Sequence, residues 1–225
     1  MDMKRALLLL AMIAAIAFPT WMRLHEARPP ASLRQDGPLR VAVLGDSVAR
    51  GAGDERGRGI PGALEEQLQG AAVVNLGINS ARTFNVRRVL SHEALRFADV
   101  VVLSIGGNDL YGDSIARLRS TLFPARQQER VAAKVERLVA RVRRINPAAR
   151  ICVLGLYNPY QSAWLDEQVN RWDARLIARF AATRDVTVIR ICDLLDRADR
   201  ISSIDRFHPG AAGYAAIAQR IVSSL

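Results

Sequence analysis

The feature that most constrains the fold is an alternation of short apolar runs with longer amphipathic segments. Five runs of aliphatic and β-branched residues predict strands at residues 40–44, 71–76, 100–105, 150–156 and 186–191. The segments between them predict helices that begin near Pro61 and that cover residues 83–96, 126–145, 166–182 and 210–224. Strands that alternate with helices form right-handed βαβ crossovers. The sequence therefore predicts an α/β fold of three layers (α/β/α), with a flavodoxin-like, doubly wound, five-stranded parallel sheet.

The first 39 residues differ in composition from the rest of the 225-residue chain. Residues 1–5 are short and basic, residues 6–18 form an uninterrupted apolar run, and Ala15-Ile16-Ala17 is a small-x-small cleavage site. Residues 1–22 therefore predict either a signal peptide or an N-terminal membrane anchor, with the remaining domain exported to the periplasm or the outside. Prolines and scattered charges in residues 23–39 predict a linker, which leaves residues 40–225 as one domain.

Charge and cysteine content narrow the expected partners and cofactors. The formal net charge is +10, but no run of five basic residues occurs and no aromatic residues alternate with the charges. We therefore expect no nucleic-acid partner, and interpret the charge as an arginine-rich surface with weak attraction to anionic membranes or cell-wall polymers. Cys152 and Cys192 do not have metal-ligand spacing, so no metal site is expected, and their pairing stays open. The sequence does not predict an oligomeric state.

The first predicted strand ends in Gly45-Asp46-Ser47, at the edge of the sheet where ligands bind in open α/β folds. Ser47 is therefore a candidate nucleophile, which needs a base to activate it. His208 is the candidate base, because it lies in a loop before the last helix with Asp205 three residues earlier. The Asp205 carboxylate can fold back onto the imidazole and hold it with the opposite nitrogen free. Taken alone, the same residues also fit a capping aspartate and a surface histidine.

Two other strand ends carry candidate donors for an oxyanion. The third predicted strand is followed by two glycines and then by Asn108, whose amide can project from the carboxyl edge of the sheet. The second is followed by Gly77, whose backbone N–H can face a ligand. Each of these segments is also compatible with an ordinary turn.

Four short motifs follow one another along the chain: Gly45-Asp46-Ser47 with Gly51, Asn75-x-Gly77, Gly106-Gly107-Asn108-Asp109, and Asp205-x-x-His208-Pro209. Together they resemble the motif blocks of the SGNH, or GDSL-type, hydrolase family, in the family's order and over about residues 40 to 213. The chain is most similar to the secreted bacterial lipase/acylhydrolase-like members.

The resemblance implies a role for each matching residue. Ser47 would attack the ester carbonyl, His208 would act as base and then as acid, and Asp205 would orient His208. The oxyanion hole would consist of the Ser47 backbone N–H, the Gly77 backbone N–H and the Asn108 side chain. The resemblance also implies that no metal and no organic cofactor takes part.

The family pattern also bears on two aspartates and on Ser80, where this sequence differs from many members. Asp46 and Asp109 are expected to support the site as neighbours of the reacting groups rather than as acids. Ser80 stands where many members carry a second glycine, so the shape of that loop is not predicted.

The sequence therefore predicts a serine esterase or acylhydrolase that cleaves carboxylic esters through an acyl-enzyme intermediate. The substrate would be a small-molecule or polymer-borne ester, and its acyl length is not predicted. The alternatives are a carbohydrate or cell-wall O-acetylesterase and, from another class, a non-catalytic binding module tethered to a membrane by the N-terminal segment.

Overall fold

The computed structural model of the protein describes residues 37–111, 125–160 and 162–225. The predicted signal peptide or anchor and the linker up to residue 36 lie outside the described residues. Among the described residues, no helix has both the length and the apolar character needed to cross a membrane.

The centre of the domain is a parallel sheet of five strands in the order β2-β1-β3-β4-β5. The strands are β1 (Arg40–Gly45), β2 (Ala72–Gly77), β3 (Val100–Ser104), β4 (Arg150–Leu154) and β5 (Val186–Ile189). Because the strand order reverses direction at β1, the carboxyl ends of β1 and β3 form the switch point at which such sheets bind ligands. The predicted fold class is confirmed.

Helices cover both faces of the sheet. They are α1 (Ser47–Arg50), α2 (Gly59–Gln67), α3 (Glu93–Phe97), α4 (Gly107–Tyr111), α5 (Ala125–Ile145), α6 (Ala163–Phe180) and α7 (Ala211–Val222). Within the described ranges, short 3₁₀ helices lie at Asn85–Val89 and Ala198–Arg200.

The core has two halves because side chains along each strand alternate between the faces of the sheet. Ala42 and Leu44 of β1 pack in the half that α5 and α6 cover, whereas Val41 and Val43 pack in the half that α2 and α7 cover. All of these side chains are buried, as expected for a central strand with both faces covered. Cys152 and Cys192 are free thiols.

The helix predicted at residues 83–96 is instead a 3₁₀ helix, a break and then α3. His92 causes the break: its backbone is extended, and its Nδ1 accepts a hydrogen bond from the Ala94 N–H at 3.2 Å. The side chain therefore starts a new helix in the manner of an N-terminal cap. The apolar spacing of this segment is helical on average, so periodicity alone does not reveal the interruption.

Candidate active site

Ser47 lies where β1 ends, as the first residue of α1. The preceding Asp46 caps this helix, since its Oδ1 accepts from the Val48 N–H at 3.1 Å and from the Ser104 hydroxyl at 3.0 Å. The Asp46 N–H in turn donates to the Ser104 carbonyl oxygen at 2.9 Å. These three bonds fix the turn that presents Ser47 at the carboxyl edge of the sheet.

Asp46 is 5% exposed, and its Oδ1 is directed at the Val48 N–H and the Ser104 hydroxyl. Burial raises the pKa of its carboxyl to about 6, although the hydrogen bonds from Ser104 and Val48 oppose that shift. The geometry matches the predicted supporting position of Asp46, because its carboxylate contacts the backbone that carries Ser47.

Two hydrogen bonds link Ser47, His208 and Asp205. The Ser47 Oγ lies 2.9 Å from His208 Nε2, and His208 Nδ1 lies 2.6 Å from Asp205 Oδ2. Burial favours a higher pKa for Asp205, but hydrogen bonds from the His208 ring and from the His208 and Phe207 backbone N–H groups outweigh it and lower the pKa. An ionised Asp205 holds the ring proton on Nδ1, which leaves Nε2 free to accept the Ser47 hydroxyl proton.

The loop that carries Asp205 and His208 is held in an uncommon backbone conformation. Arg206 has a φ of 53°, in the left-handed region that residues with a side chain rarely adopt. This conformation lets the Asp205 carboxylate fold back onto His208. The Ser202 N–H donates to the His208 carbonyl oxygen at 2.8 Å, which fixes the far side of the loop.

Glu55 accepts hydrogen bonds from the backbone on both sides of this loop. One carboxylate oxygen accepts from the Ser203 N–H at 3.0 Å, and the other accepts from the Ala211 N–H, at the start of α7, at 2.9 Å. Gly53, two residues before Glu55, lies so close to His208 that a Cβ there would be 2.5 Å from the His208 Cβ. The segment after α1 therefore contacts both sides of the histidine loop, a feature that the sequence does not reveal because the contacts span about 150 residues.

We expect Glu55→Gln to lower kcat/KM for a short p-nitrophenyl ester about tenfold, because a small displacement of a catalytic group has large kinetic effects. Hydrogen bonds from the Ala211 and Ser203 backbone lower the pKa of Glu55 from 4.5 to about 2. A lowered pKa contributes stability that is complete above pH 4.5 and is lost as the pH falls through about 2.

Urea unfolding between pH 7 and pH 3 measures this contribution, with Glu65→Gln on α2 as the control. The wild-type protein should exceed Glu55→Gln in free energy of unfolding at pH 7, and the difference should shrink towards pH 3. A difference that does not change with pH would show that the Glu55 charge is irrelevant.

Asn108 and Asp109 follow β3 on α4 and contact the same neighbouring segment. The Asn108 Nδ2 donates to the Ala81 carbonyl oxygen at 3.0 Å, which uses one of its two N–H groups. The Asp109 carboxylate accepts from the Thr83 N–H at 2.7 Å, the Thr83 hydroxyl at 2.8 Å and Lys134 Nζ at 3.1 Å. Asp109 therefore anchors residues 81–83 beside Asn108, as expected of a supporting residue.

The Gly77 N–H, predicted to face an oxyanion, is hydrogen-bonded to a side chain in the structure. Its N–H donates to the Asn75 Oδ1 at 2.9 Å, and the Asn75 Nδ2 donates to the Arg50 carbonyl oxygen at 2.9 Å. A Cβ at Gly77 would lie 2.3 Å from the Arg50 nitrogen. Glycine is needed here because α1 passes directly over the end of β2, and in this arrangement the Gly77 N–H is not free to donate to an oxyanion.

Ser80, in the loop after β2, has the backbone conformation of a glycine although it is not one. Its φ is 57°, so this residue adopts the left-handed conformation of the glycine that many family members carry there. Within the described part of the chain, its backbone N–H has no hydrogen-bond acceptor. Ser80 directly precedes Ala81, whose carbonyl oxygen binds Asn108, so this N–H lies in the segment next to the Asn108 amide. The sequence shows that serine replaces the family's glycine here, but it does not show that Ser80 keeps the left-handed backbone conformation.

A cavity of about 40 Å³ opens beside Ser47. Most of its wall is apolar or aromatic, and Asn108 contributes one of its polar groups. The lining residues are Asp46, Ser47, Val48, Ser104, Gly107, Asn108, Tyr111, Gly155, Leu156, Tyr157, Pro159, Ile191 and Phe207. A space of this size holds a group of a few heavy atoms.

Comparison with known proteins identifies relatives of the whole domain. Residues 43–216 match the model of the GDSL-like Lipase/Acylhydrolase family. The protein YpmR of Bacillus subtilis (strain 168) is 27% identical over 207 residues, which cover 82% of this chain and 80% of that protein.

Two solved structures share the fold. The lipase Lip_vut3 from a goat rumen metagenome has a TM-score of 0.68 at 22% identity and covers 83% of this chain and 97% of its own. A family 3 carbohydrate esterase from Clostridium thermocellum has a TM-score of 0.63 at 19% identity, with 82% and 94% covered. Since the family match extends over most of the chain, the protein belongs to the GDSL-like lipase/acylhydrolase family of carboxylic ester hydrolases.

Proposed function

We propose that the protein cleaves carboxylic esters through an acyl-enzyme intermediate on Ser47, with His208 as the base and Asp205 as its orienting carboxylate. The observation that carries this proposal is the pair of hydrogen bonds from Ser47 Oγ to His208 Nε2 (2.9 Å) and from His208 Nδ1 to Asp205 Oδ2 (2.6 Å). This geometry is what a serine needs to become nucleophilic at neutral pH.

The reaction proceeds in two steps of the same kind. As Ser47 Oγ attacks the ester carbonyl carbon, His208 Nε2 takes the hydroxyl proton, and it returns that proton to the leaving alcohol when the C–O bond breaks. Water then attacks the acyl-Ser47 ester while His208 takes a proton from it. The bond between the acyl carbon and Oγ breaks, Oγ recovers the proton, and the carboxylic acid leaves.

Three donors are suited to the negative charge that develops on the carbonyl oxygen. The Ser47 N–H stands at the start of α1, where backbone N–H groups have no partner within the helix. Asn108 offers its second amide N–H, and the Ser80 N–H takes the place that the sequence assigned to Gly77. In other enzymes, removing one such donor lowers the rate by about 10²–10³.

A second candidate function is removal of acetyl groups from a carbohydrate. The cavity of about 40 Å³ beside Ser47 favours it, because that volume suits a short acyl group better than a long one. One structural neighbour is a carbohydrate esterase, which is compatible with this candidate. A purely non-catalytic module is disfavoured by the family to which the chain belongs.

We also propose that the protein acts outside the cytoplasm. The basic residues 1–5 and the apolar run at residues 6–18 support export, either with cleavage of the segment or with its retention as a membrane anchor.

Incubation with a fluorophosphonate probe tests the proposed mechanism. We expect the probe to modify Ser47 alone, in the folded protein and at neutral pH, because only an activated serine attacks the phosphorus centre. Peptide mass spectrometry locates the adduct, and His208→Ala serves as the control that should remain unlabelled. Labelling of another serine, or equal labelling of the control, would refute the assignment.

A further inference from the structure

A second groove lies beside Thr83 and shares no lining residue with the catalytic cavity. It has a volume of about 230 Å³ and lies between the segment that begins at Thr83 and helix α5. Its walls contain four cationic side chains and one aromatic ring. This basic groove is lined by Thr83, Phe84, Arg87, Lys134, Arg137, Leu138 and Arg141.

The groove continues into a stripe of cations along α5. At about 100° per residue, one arc of about 80° on this helix contains six residues, and all six are basic. They span about 27 Å at the helical rise of 1.5 Å per residue. All six are exposed: Arg126, Arg130, Lys134, Arg137, Arg141 and Arg144.

Among the described residues, Lys134 is the one cation of the stripe that forms an ion pair with an acidic group. Glu129 and Glu136 of α5 lie outside the arc and form ion pairs with Arg175 and Arg179 of α6. The Asp109 side chain is 3% exposed and binds Lys134 and both polar groups of Thr83. In the described part of the chain, Arg87, Arg137 and Arg141 have no carboxylate partner. The groove therefore presents uncompensated positive charge to solvent.

The groove and the catalytic site share one supporting segment. Asn108 lines the catalytic cavity and binds the Ala81 carbonyl oxygen, while the adjacent Asp109 binds Thr83 and Lys134 of the groove. Phe84 is 62% exposed at the groove, with the Arg87 guanidinium 4.1 Å from its ring centroid. An extended molecule that lies along the groove thus passes close to Asp109, whose neighbour Asn108 lines the catalytic cavity.

We propose that the basic groove binds an anionic polysaccharide whose ester groups are cleaved at Ser47, an inference that rests on the proposed esterase function. Regularly spaced cations over about 27 Å match the repeated charges of a linear polyanion. The ester requirement favours a glycan over nucleic acid, which has no carboxylic ester. The arc contains no large apolar side chain, and the exposed Phe84 ring of the groove is covered on one face by the Arg87 guanidinium at 4.1 Å, which argues against a membrane surface as the ligand.

The experiment compares two double variants with equal changes in charge. Arg137→Glu with Arg141→Glu reverses the groove, whereas Arg171→Glu with Arg197→Glu reverses exposed arginines on α6 and on the loop after β5. Binding to polygalacturonate, as a carboxylate polymer, is measured by affinity electrophoresis in 50 mM and 500 mM NaCl. We expect the groove variant to bind about tenfold more weakly at low salt, and the control variant to bind within twofold of wild type.

Kinetics with two substrates completes the test. For p-nitrophenyl acetate, the groove variant should keep the wild-type kcat/KM within twofold, which also shows that it is folded. For acetylated polygalacturonate its kcat/KM should fall about tenfold, mainly through KM, because only the polymer contacts the groove.

The outcomes separate the two proposals. Unchanged polymer binding and turnover in the groove variant would refute the proposal that the basic groove binds an anionic polysaccharide. Stronger groove-dependent retention by duplex DNA, or by vesicles containing anionic phospholipid, would refute it as well. Full p-nitrophenyl acetate activity in Ser47→Ala would instead overturn the esterase mechanism, and polymer binding by Ser47→Ala tests the groove independently of turnover.

Discussion

Replacement of Ser47 by alanine is expected to lower kcat/KM for p-nitrophenyl acetate by about 10⁴-fold or more, with the fold unchanged. Alanine removes the Oγ that forms the acyl-enzyme, so only transition-state binding by the oxyanion donors remains. Ser47 is the first residue of the short helix α1, and its side chain makes no bond to the core, so the effect should be confined to catalysis. Initial rates and urea unfolding of the same preparation measure the two quantities.

His208→Ala should cause a loss of similar size, and the double variant should be little worse than either single variant. The two side chains act as one unit through their 2.9 Å contact, so removing either disables the other. Losses that multiply in the double variant would show that they act independently. Retention of most activity by Ser47→Ala would show that another group is the nucleophile.

Asp205→Ala should cost less than either of these changes. His208 keeps its position in part through the bond from the Ser202 N–H to its carbonyl oxygen and through its contact with Gly53. What the variant loses is the carboxylate that fixes the ring proton on Nδ1 and stabilises the imidazolium.

The sequence was sufficient for the groups that end strands, because a parallel sheet brings the carboxyl ends of its strands to one edge. Ser47 and Asn108 could be predicted for this reason, and Asp205 and His208 from their spacing in one loop. Backbone detail could not be predicted in the same way. Whether the Gly77 N–H is free depends on the Asn75 side chain, which folds back to accept it.

Contacts between distant segments were also beyond the sequence. Glu55 binds Ser203 and Ala211, and no local pattern distinguishes it from other surface carboxylates. The charged face of α5 was visible as periodicity, but only the fold places it beside the loop at Thr83 that Asp109 anchors. From the sequence alone, these cations therefore predict only an arginine-rich surface with weak attraction to anionic membranes or cell-wall polymers.

Glycine is needed at residue 45 for a reason that the sequence shows only in part. The sequence suggests a glycine that permits a tight turn before Asp46. In the structure its φ is 141°, and a Cβ would lie 1.8 Å from the Ser104 carbonyl oxygen. That carbonyl accepts the Asp46 N–H at 2.9 Å, so the β1 and β3 backbones are in close contact at the point that orients Ser47.

We therefore expect Gly45→Ala to destabilise the protein by more than about 4 kcal/mol, or to prevent folding, because the clash is with backbone and the φ suits only glycine. Gly70→Ala is the matched control: Gly70 has a φ of 81°, but a Cβ there meets nothing within 4 Å. Gly70→Ala should lower the free energy of unfolding only by the strain of a side chain at positive φ, about 1–2 kcal/mol.

Urea unfolding of the two glycine variants, followed by circular dichroism, separates the two contributions. The Gly70→Ala midpoint should fall slightly with the slope of the transition unchanged, whereas Gly45→Ala should show a far lower midpoint or no folded baseline. Equal midpoints would mean that β1 and β3 can separate at the catalytic end without a large loss of stability. In that case the position of Ser47 would depend on the Asp46 hydrogen bonds rather than on the close approach of the two strands.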